Sequence, residues 1–227
     1  MKNEEHIKSF VKRSGRVTNV QRYFLKNKKN NHNFFTPTET INLYKLFNNK
    51  NPCILDIGFG DGKLLSKIAK INTSINFIGL EVYESGIGNI LKQIEKCNLD
   101  NLKVSNIDAV PFLKNYVQNN SFYGISLFFP DPWPKKRHVK RRLITSDFLI
   151  KLHNILKENS EIHIATDSTI YLRFILNSIY NCKEYFLWLN QSEMNLLIKD
   201  YFDIETKYYK KAINSQRKPS LFILRKL

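Results

Sequence analysis

The chain lacks any apolar run long enough to cross a membrane, because none approaches the roughly 18 to 20 residues that a bilayer-spanning helix needs. Its first ten residues are polar and lack the apolar core of a secretion signal. These two absences predict a cytoplasmic protein with no membrane partner.

Cysteine is also scarce. The three thiols, Cys53, Cys97 and Cys182, lie far apart and show no Cys-x-x-Cys spacing, which argues against both a zinc cluster and a disulfide framework. The five histidines share no ligand spacing with carboxylates, so we expect no bound metal. We also find no internal repeat and no sign of an obligatory protein partner.

Acidic residues are few, 20 against 36 lysines and arginines, and the formal net charge of +16 attracts polyanions. The excess of Asn, Ile and Lys is also what an AT-rich genome produces, so the position of the charges matters more than their sum. Two stretches, Lys2–Lys29 and Lys135–Arg142, combine basic with aromatic side chains, a mixture that favours RNA. The sequence predicts a basic N-terminal arm over residues 1–33, with a flexible Lys26–Asn33 loop at its end, and one domain over residues 34–227.

Strand-length apolar runs alternate with segments of helical length, the pattern of βαβ units in a parallel sheet. The predicted strands are Cys53–Ile57, Asn76–Val82, Leu102–Ile107, Tyr123–Phe129 and Glu161–Ala165. The predicted helices are Lys63–Ile71, Ser85–Cys97, Ala109–Val117, Ile144–Lys157 and Thr169–Tyr180. Beyond them the sequence predicts strands at Glu184–Leu189 and Ser220–Leu224, a helix at Glu193–Tyr201 and a polar loop at Glu205–Lys218. The chain is therefore expected to form an α/β fold with a mostly parallel seven-stranded sheet and an antiparallel C-terminal hairpin.

A glycine-rich turn follows the first predicted strand. Gly58 and Gly60 would let a ligand approach the backbone, and the start of the next helix would offer free N–H groups. The spacing is G-x-G-x-G, and Lys63 occupies a position that breaks the dinucleotide pattern G-x-G-x-x-G, so an NAD site is disfavoured. Asp56 before the glycines suits a cofactor with a cationic amino group, such as S-adenosylmethionine. A plain strand-to-helix turn is the alternative.

Two further acids end the next two strands. Glu81 stands 25 residues after Asp56, where a carboxylate accepts hydrogen bonds from ribose hydroxyls. Asp108 could accept from an adenine amino group or simply cap a helix. Since the carboxyl ends of parallel strands share one edge of a sheet, where ligands of this fold class bind, the three acids together favour a cofactor site.

The fourth strand runs into the segment Phe128–Arg142, in which Pro130 and Pro132 flank Asp131. Prolines restrict the backbone and remove donors, so the carboxylate should sit in a rigid turn at the strand edge, with Trp133 offering a stacking face. The alternative is a proline-rich turn with a solvated basic tail.

These residues resemble the tRNA (guanine-N7)-methyltransferase family. Phe-Phe-Pro-Asp-Pro-Trp-x-Lys with its basic run carries the resemblance, as do Gly15–Thr18 with Gln21, Ala165–Asp167 and Thr206–Tyr208. It covers nearly the whole chain and implies a Rossmann-like class I methyltransferase fold, S-adenosylmethionine as cofactor and tRNA as partner. It implies that Asp131 is catalytic and that the cofactor is bound by Asp56, Gly58, Gly60, Glu81, Asp108 and Asp131. It implies substrate contacts from Lys135, Asp167, Thr206, Lys207, Tyr208 and Tyr209, and RNA contacts from Arg137, His138, Val139, Lys140, Arg141 and Arg142.

One position departs from the family, which usually has Glu where this chain has Tyr209; Glu205 could take that role. Without the resemblance, Thr206 and Lys207 would equally suit a solvated hairpin. Two alternative functions remain at this stage: methylation of another nucleic-acid base, such as an exocyclic amine in DNA or rRNA, and a non-catalytic RNA-binding relic.

Overall fold

A computed structural model describes residues 7–11, 17–191 and 206–227. Its α-helices are α1 (Asn19–Asn27), α2 (Leu43–Phe47), α3 (Lys63–Ile71), α4 (Glu84–Cys97), α5 (Ala109–Asn115), α6 (Ser146–Ile155), α7 (Thr169–Tyr180) and α8 (Lys207–Asn214). Its strands are β1 (Cys53–Ile57), β2 (Asn76–Leu80), β3 (Leu102–Ser105), β4 (Phe122–Phe128), β5 (Leu156–Thr166), β6 (Phe186–Trp188) and β7 (Ser220–Lys226). Short 3-10 helices lie at Lys28–Asn30 and Lys136–Arg141.

The seven strands form one sheet in the order β3-β2-β1-β4-β5-β7-β6. Neighbours from β3 to β5 are parallel, whereas β7 is antiparallel to both β5 and β6. The predicted fold class is therefore confirmed, with β6 rather than β7 at the edge of the sheet.

The strand order changes direction at β1, which has β2 on one side and β4 on the other. Because the connections after β1 and β4 leave on opposite sides of this point, a crevice opens between the carboxyl ends of the two strands. Asp56, near the end of β1, is in register with Gly79 of β2 and Ser126 of β4. The fold thus brings the predicted glycine-rich turn beside the predicted Pro-Asp-Pro turn.

Helices cover both faces of the sheet because alternate strand residues point to opposite sides. Leu55 of β1 packs in one buried cluster with side chains of α5, α6 and α7. Its neighbour Ile54 packs against a second cluster built from α3, α4, β2 and β3. The result is a three-layer sandwich whose binding edge lies between the two helical layers. In the described parts of the chain, every helix is too short or too polar to span a bilayer.

The expectation of a flexible loop at Lys26–Asn33 is wrong. Thr18 and Gln21 form a reciprocal capping box at the start of α1, which continues to Asn27 and then into a 3-10 helix. Asn33 is buried, and its side-chain amide donates to the carbonyls of Leu99 and Leu102, both at 2.8 Å. The tract is polar because Asn33 is the only buried residue among Lys26–Asn33. The side-chain amide of Asn33 anchors the end of the tract to the sheet.

The expected polar loop Glu205–Lys218 is also wrong over most of its length, because Lys207–Asn214 form α8. The Thr206 hydroxyl caps this helix by accepting from the Tyr209 amide at 2.9 Å. Tyr209 and the buried Ala212 lie three residues apart on one helix face. Two apolar residues among several lysines are too few for the sequence to predict this helix. Glu205, the predicted helix at Glu193–Tyr201 and the Gly15–Arg16 pair lie outside the described residues.

Candidate active site

A cavity of about 490 Å³ opens at the carboxyl ends of β1 and β4. A smaller cavity of about 130 Å³ adjoins it on the side of β2 and β3. The larger cavity contains the predicted site residues Asp56, Gly58, Gly60, Asp131, Thr206, Lys207 and Tyr208 in its walls. The smaller one contains Gly58, Gly60, Glu81, Asp108, Asp131 and Tyr208. Residues far apart in the sequence therefore meet around one continuous crevice.

The glycine-rich turn forms the floor of the crevice. Gly58 and Gly60 have φ values of +78° and +65°, a backbone region in which a side chain would be strained. A Cβ atom on Gly86, at the start of α4, would lie 2.3 Å from the Gly60 carbonyl oxygen. Glycine is thus required both in the turn itself and at the helix that packs against it.

Glu81 holds the turn in place from the end of β2. Its Oε2 accepts from the Gly60 amide at 2.8 Å, while Oε1 accepts from the Val82 and Tyr83 amides at 2.7 and 3.0 Å. Burial raises the pKa of the Glu81 carboxyl, the three amides oppose that rise, and the charge of Asp131 adds to it. The carboxylate therefore orders the cavity wall and stands next to the smaller cavity.

Asp56 lies deeper, only 6% exposed, in the wall of the larger cavity. Burial raises the pKa of its carboxyl to about 7, against a hydrogen bond from Ser126 that lowers it, and the nearby charge of Glu81 raises it further. A buried carboxylate that is costly to ionise is well suited to bind a cation, because an incoming positive charge removes that cost.

Asp108 caps α5, since its side chain accepts from the Val110 amide at 3.1 Å, and it also lines the smaller cavity. The capping alternative raised for this residue is thus observed alongside its place at the site. Phe10, which sequence reasoning did not assign to the site, lines the same cavity, and its neighbours tie the N-terminal segment across the opening. The Ser9 carbonyl accepts from the Trp133 indole at 2.8 Å, and the Val11 carbonyl accepts from the Tyr83 hydroxyl at 2.9 Å.

The Pro-Asp-Pro turn places Asp131 where the two cavities meet. Phe129 and Trp133, on either side, have φ values of +55° and +44°, so the turn is held in a backbone conformation that is unfavourable for L-residues. Lys135 and His138 share a third pocket with Asp131 and Trp133. The predicted turn therefore lies at the strand tip, with Asp131 in the walls of both cavities.

The basic segment after the turn divides into exposed and buried parts. Arg137 and Lys140 are exposed, and the Arg141 guanidinium lies 4.9 Å from the centre of the Trp133 ring. Arg142, expected to contact RNA, is only 7% exposed and donates to the carbonyls of Pro132 and Trp133. Its guanidinium points into the protein, so the structure does not place it on the surface with its neighbours.

Of the residues near the C-terminus that were predicted to contact the substrate, some line the cavities and others do not. Tyr208 of α8 stacks on Phe129, with ring centres 6.3 Å apart, and lines both cavities. Tyr209 instead packs against the apolar cluster that contains Ala165. Asp167 pairs with Arg217 at 3.0 Å and is absent from the lining of both cavities in the described structure.

Gln21 is a further cavity residue that sequence reasoning left without a role there. Its side-chain amide donates to the Ser85 carbonyl at 3.3 Å, which joins α1 to the start of α4. The capping-box pattern could have located the residue at a helix start, but only the packing of α1 on α4 brings it to the crevice.

Comparisons with known proteins agree with this architecture. A family model described as "Putative methyltransferase" matches residues 50–220. A tRNA (guanine-N(7)-)-methyltransferase of Buchnera aphidicola subsp. Baizongia pistaciae is 39% identical over 91% of this chain and 85% of its own. One from Francisella philomiragia is 37% identical over 81% of this chain and 80% of its own.

Among solved structures, the 16S rRNA methyltransferase KamB matches with a TM-score of 0.58 at 14% identity, over 84% of this chain and 95% of its own. A Streptococcus mutans protein described as "a putative methyltransferase", in complex with SAH, matches with a TM-score of 0.50 at 11% identity, over 79% of this chain and 90% of its own. At these identities the likeness concerns the fold, which is that of the class I methyltransferases.

Proposed function

The chain belongs to the tRNA (guanine-N7)-methyltransferase family, and on that premise we propose that it transfers a methyl group from S-adenosylmethionine to N7 of guanine at position 46, in the variable loop of tRNA. The observation that supports the proposal best is the convergence of Asp56, Glu81 and Asp131, from the ends of three adjoining strands, on one crevice. The alternative of a relic without catalysis is disfavoured because every member of this set is present.

The donor set fits S-adenosylmethionine. Asp56 offers a buried carboxylate to a cationic amino group, and the strained glycine turn lets a ligand approach the backbone closely. Glu81 and Asp108 lie in the adjoining smaller cavity, whose carboxylates suit ribose hydroxyls and an adenine amino group. S-adenosylmethionine, when bound, supplies a methyl group on a positively charged sulfur.

The reaction depends mainly on the position of guanine N7 relative to the methyl group. Guanine N7 carries an available lone pair, so attack in line with the bond to the methyl group needs no strong base. Methylation leaves positive charge on the base, and we assign its stabilisation to the Asp131 carboxylate because that residue lines both cavities. Tyr208, stacked on Phe129 at the mouth, offers an aromatic face to a base turned out of the RNA.

We assign recognition of the substrate to residues around the opening of the two cavities. We assign substrate contacts to Lys135, which shares a pocket with Asp131. We assign them also to Thr206 and Lys207, which line the larger cavity. Asp167 would select guanine by accepting from N1–H and the amino group, which requires its pairing with Arg217 to open. The segment that follows the turn is assigned to the RNA backbone, with Arg137 and Lys140 exposed and His138, Val139 and Arg141 partly buried.

The decisive experiment is transfer of labelled methyl groups to an unmodified tRNA transcript and to the same transcript with guanine 46 changed to adenine. We expect incorporation into the first and loss of incorporation into the second. Equal labelling of both transcripts contradicts the site assignment. Labelling of rRNA or DNA in place of tRNA would instead favour another target base.

A further inference from the structure

The turn that carries Asp131 is poor in backbone N–H donors. Prolines occupy positions 130, 132 and 134, and proline has no N–H to donate. Trp133 between them has a φ of +44°, which costs an L-residue about 1 kcal/mol or more. Donors from outside the turn that bind its carbonyl groups would therefore help to keep the carboxylate of Asp131 in one position.

Arg142 provides those donors. Its Nε donates to the Pro132 carbonyl at 3.0 Å, and its Nη2 donates to the Trp133 carbonyl at 3.3 Å. One planar guanidinium thus spans two consecutive carbonyl groups directly after Asp131, a geometry that the point charge of lysine cannot reproduce.

The guanidinium is itself fixed from behind by α7. It lies 4.9 Å from the ring centre of Phe174 and 5.7 Å from that of Tyr171. Tyr171 is fully buried, and its hydroxyl accepts from the Ile144 amide at 3.0 Å, so the aromatic support is anchored to the chain that follows Arg142. Arg142 thereby connects the α7 layer of the sandwich to the turn.

Burial separates Arg142 from its basic neighbours. A buried cation lowers stability unless its donors are satisfied, and Arg142, which is only 7% exposed, offers little surface to an RNA phosphate. Arg141, by contrast, lies against the Trp133 ring and is only partly buried. The two adjacent arginines therefore have different surroundings and should respond differently to substitution.

We propose that Arg142 is a positioning residue, which holds the Pro132 and Trp133 carbonyls and through them the Asp131 carboxylate, and that it does not contact RNA. The proposal rests on the proposed tRNA methylation for its kinetic consequence. Its structural consequence, the geometry of the turn, can be measured without any substrate.

The kinetic test compares Arg142→Lys with Lys140→Ala. Arg142→Lys keeps the charge but loses the two-carbonyl contact, so kcat should fall about 10- to 100-fold while KM for tRNA stays within about two-fold. Lys140→Ala should raise KM for tRNA and reduce the slope of log affinity against log salt by about one. A raised KM and a reduced salt slope in Arg142→Lys, with kcat unchanged, would overturn the proposal.

The structural test uses the two tryptophans of the chain. Their indole N–H groups give two signals in a ¹H–¹⁵N NMR spectrum, which Trp188→Phe assigns; the Trp133 indole donates to Ser9 and that of Trp188 to Asn190. Arg142→Lys should move the Trp133 signal and leave the Trp188 signal in place, and an unmoved Trp133 signal contradicts the proposal. If wild-type protein does not methylate tRNA, the proposed function fails while this spectrum still tests the role of Arg142.

A second variant covers the case in which Arg142→Lys does not fold. Phe174→Leu removes one supporting ring and leaves the guanidinium intact, so its effects should be weaker than those of Arg142→Lys. We expect a lower kcat, an unchanged KM and a shifted Trp133 indole signal. A folded Phe174→Leu protein, shown by its thermal shift with S-adenosylhomocysteine, that matches wild type in both readouts also overturns the proposal.

Discussion

Lowering the pH should weaken cofactor binding through Asp56. Burial raises the pKa of this carboxyl to about 7, so below that pH most of the ligand-free protein carries a neutral acid in the wall of the cavity. If the ionised form alone accepts the amino group of the cofactor, affinity falls in proportion to the ionised fraction. Binding of S-adenosylhomocysteine, which has the same amino group, reports this directly.

The magnitude follows from the pKa. With a pKa of about 7, the ionised fraction is about one half at pH 7 and about one eleventh at pH 6. The dissociation constant should therefore rise about tenfold between pH 8 and pH 6, and about tenfold more by pH 5. Calorimetric titrations at pH 6 should also show that about one proton passes to the buffer on binding, since the observed enthalpy becomes more exothermic as the ionisation enthalpy of the buffer rises.

The matched control is Asp56→Asn, which has nearly the same shape as the neutral acid. Its affinity should be low at every pH, and the tenfold step near pH 7 should vanish. Glu81→Gln should weaken binding and keep the step but move it to lower pH, because the charge of Glu81 helps to raise the pKa of Asp56. A flat wild-type profile from pH 8 to pH 6, or a step that survives in Asp56→Asn, would refute the assignment.

The free energy of unfolding of the ligand-free protein should increase as the pH is lowered, whereas cofactor affinity decreases. Because the pKa of Asp56 is higher in the folded protein than in the unfolded chain, the folded state binds more protons between about pH 4 and pH 7, and the free energy of unfolding decreases as pH rises through that window. The loss is on the order of a few kcal/mol at most, and it persists above pH 7. Asp56→Asn should therefore raise the melting temperature of the ligand-free protein at pH 8.

Three further substitutions test the site and the fold. Gly86→Ala should abolish the thermal shift with S-adenosylhomocysteine, because a Cβ 2.3 Å from the Gly60 oxygen forces the glycine turn to move; a normal shift would mean that the turn tolerates it. Asp131→Ala should lower kcat far more than cofactor affinity in paired kinetic and binding measurements, and equal losses would remove its separate role. Asn33→Ala should cost about 1–3 kcal/mol and lower the melting temperature by several degrees, since two buried carbonyls lose their donor; an unchanged melting temperature would show that this anchor is unimportant.

Sequence reasoning located the strands that carry the site because their signals are local. Cys53–Ile57 is a short apolar run bounded by a turn, and its bounds agree with β1. The acids at positions 56, 81, 108 and 131 could be associated because parallel strands end at one edge. These features depend on periodicity and on fold topology, which a single sequence carries.

The remaining features depend on tertiary contacts that no local pattern encodes. Asn33 appears in a polar tract, yet its amide satisfies two buried carbonyls from a distant part of the chain. The burial of Arg142 could not be foreseen, because basic neighbours surround it in sequence, whereas its burial depends on Phe174 and Tyr171 of α7. Charge is visible in a sequence, but the direction in which a charged side chain points is not.

The walls of the large cavity come from widely separated parts of the chain, with Gln21 of α1 on one side and Tyr208 of α8 on the other. The neighbouring steps β1-α3-β2 and β2-α4-β3 join residues close in sequence, whereas docking of α1 and α8 closes long loops, which is slow. Ligand-binding competence should therefore develop later during refolding than the pairing of β1, β2 and β3. Refolding followed by circular dichroism should therefore recover part of the native signal before S-adenosylhomocysteine binds.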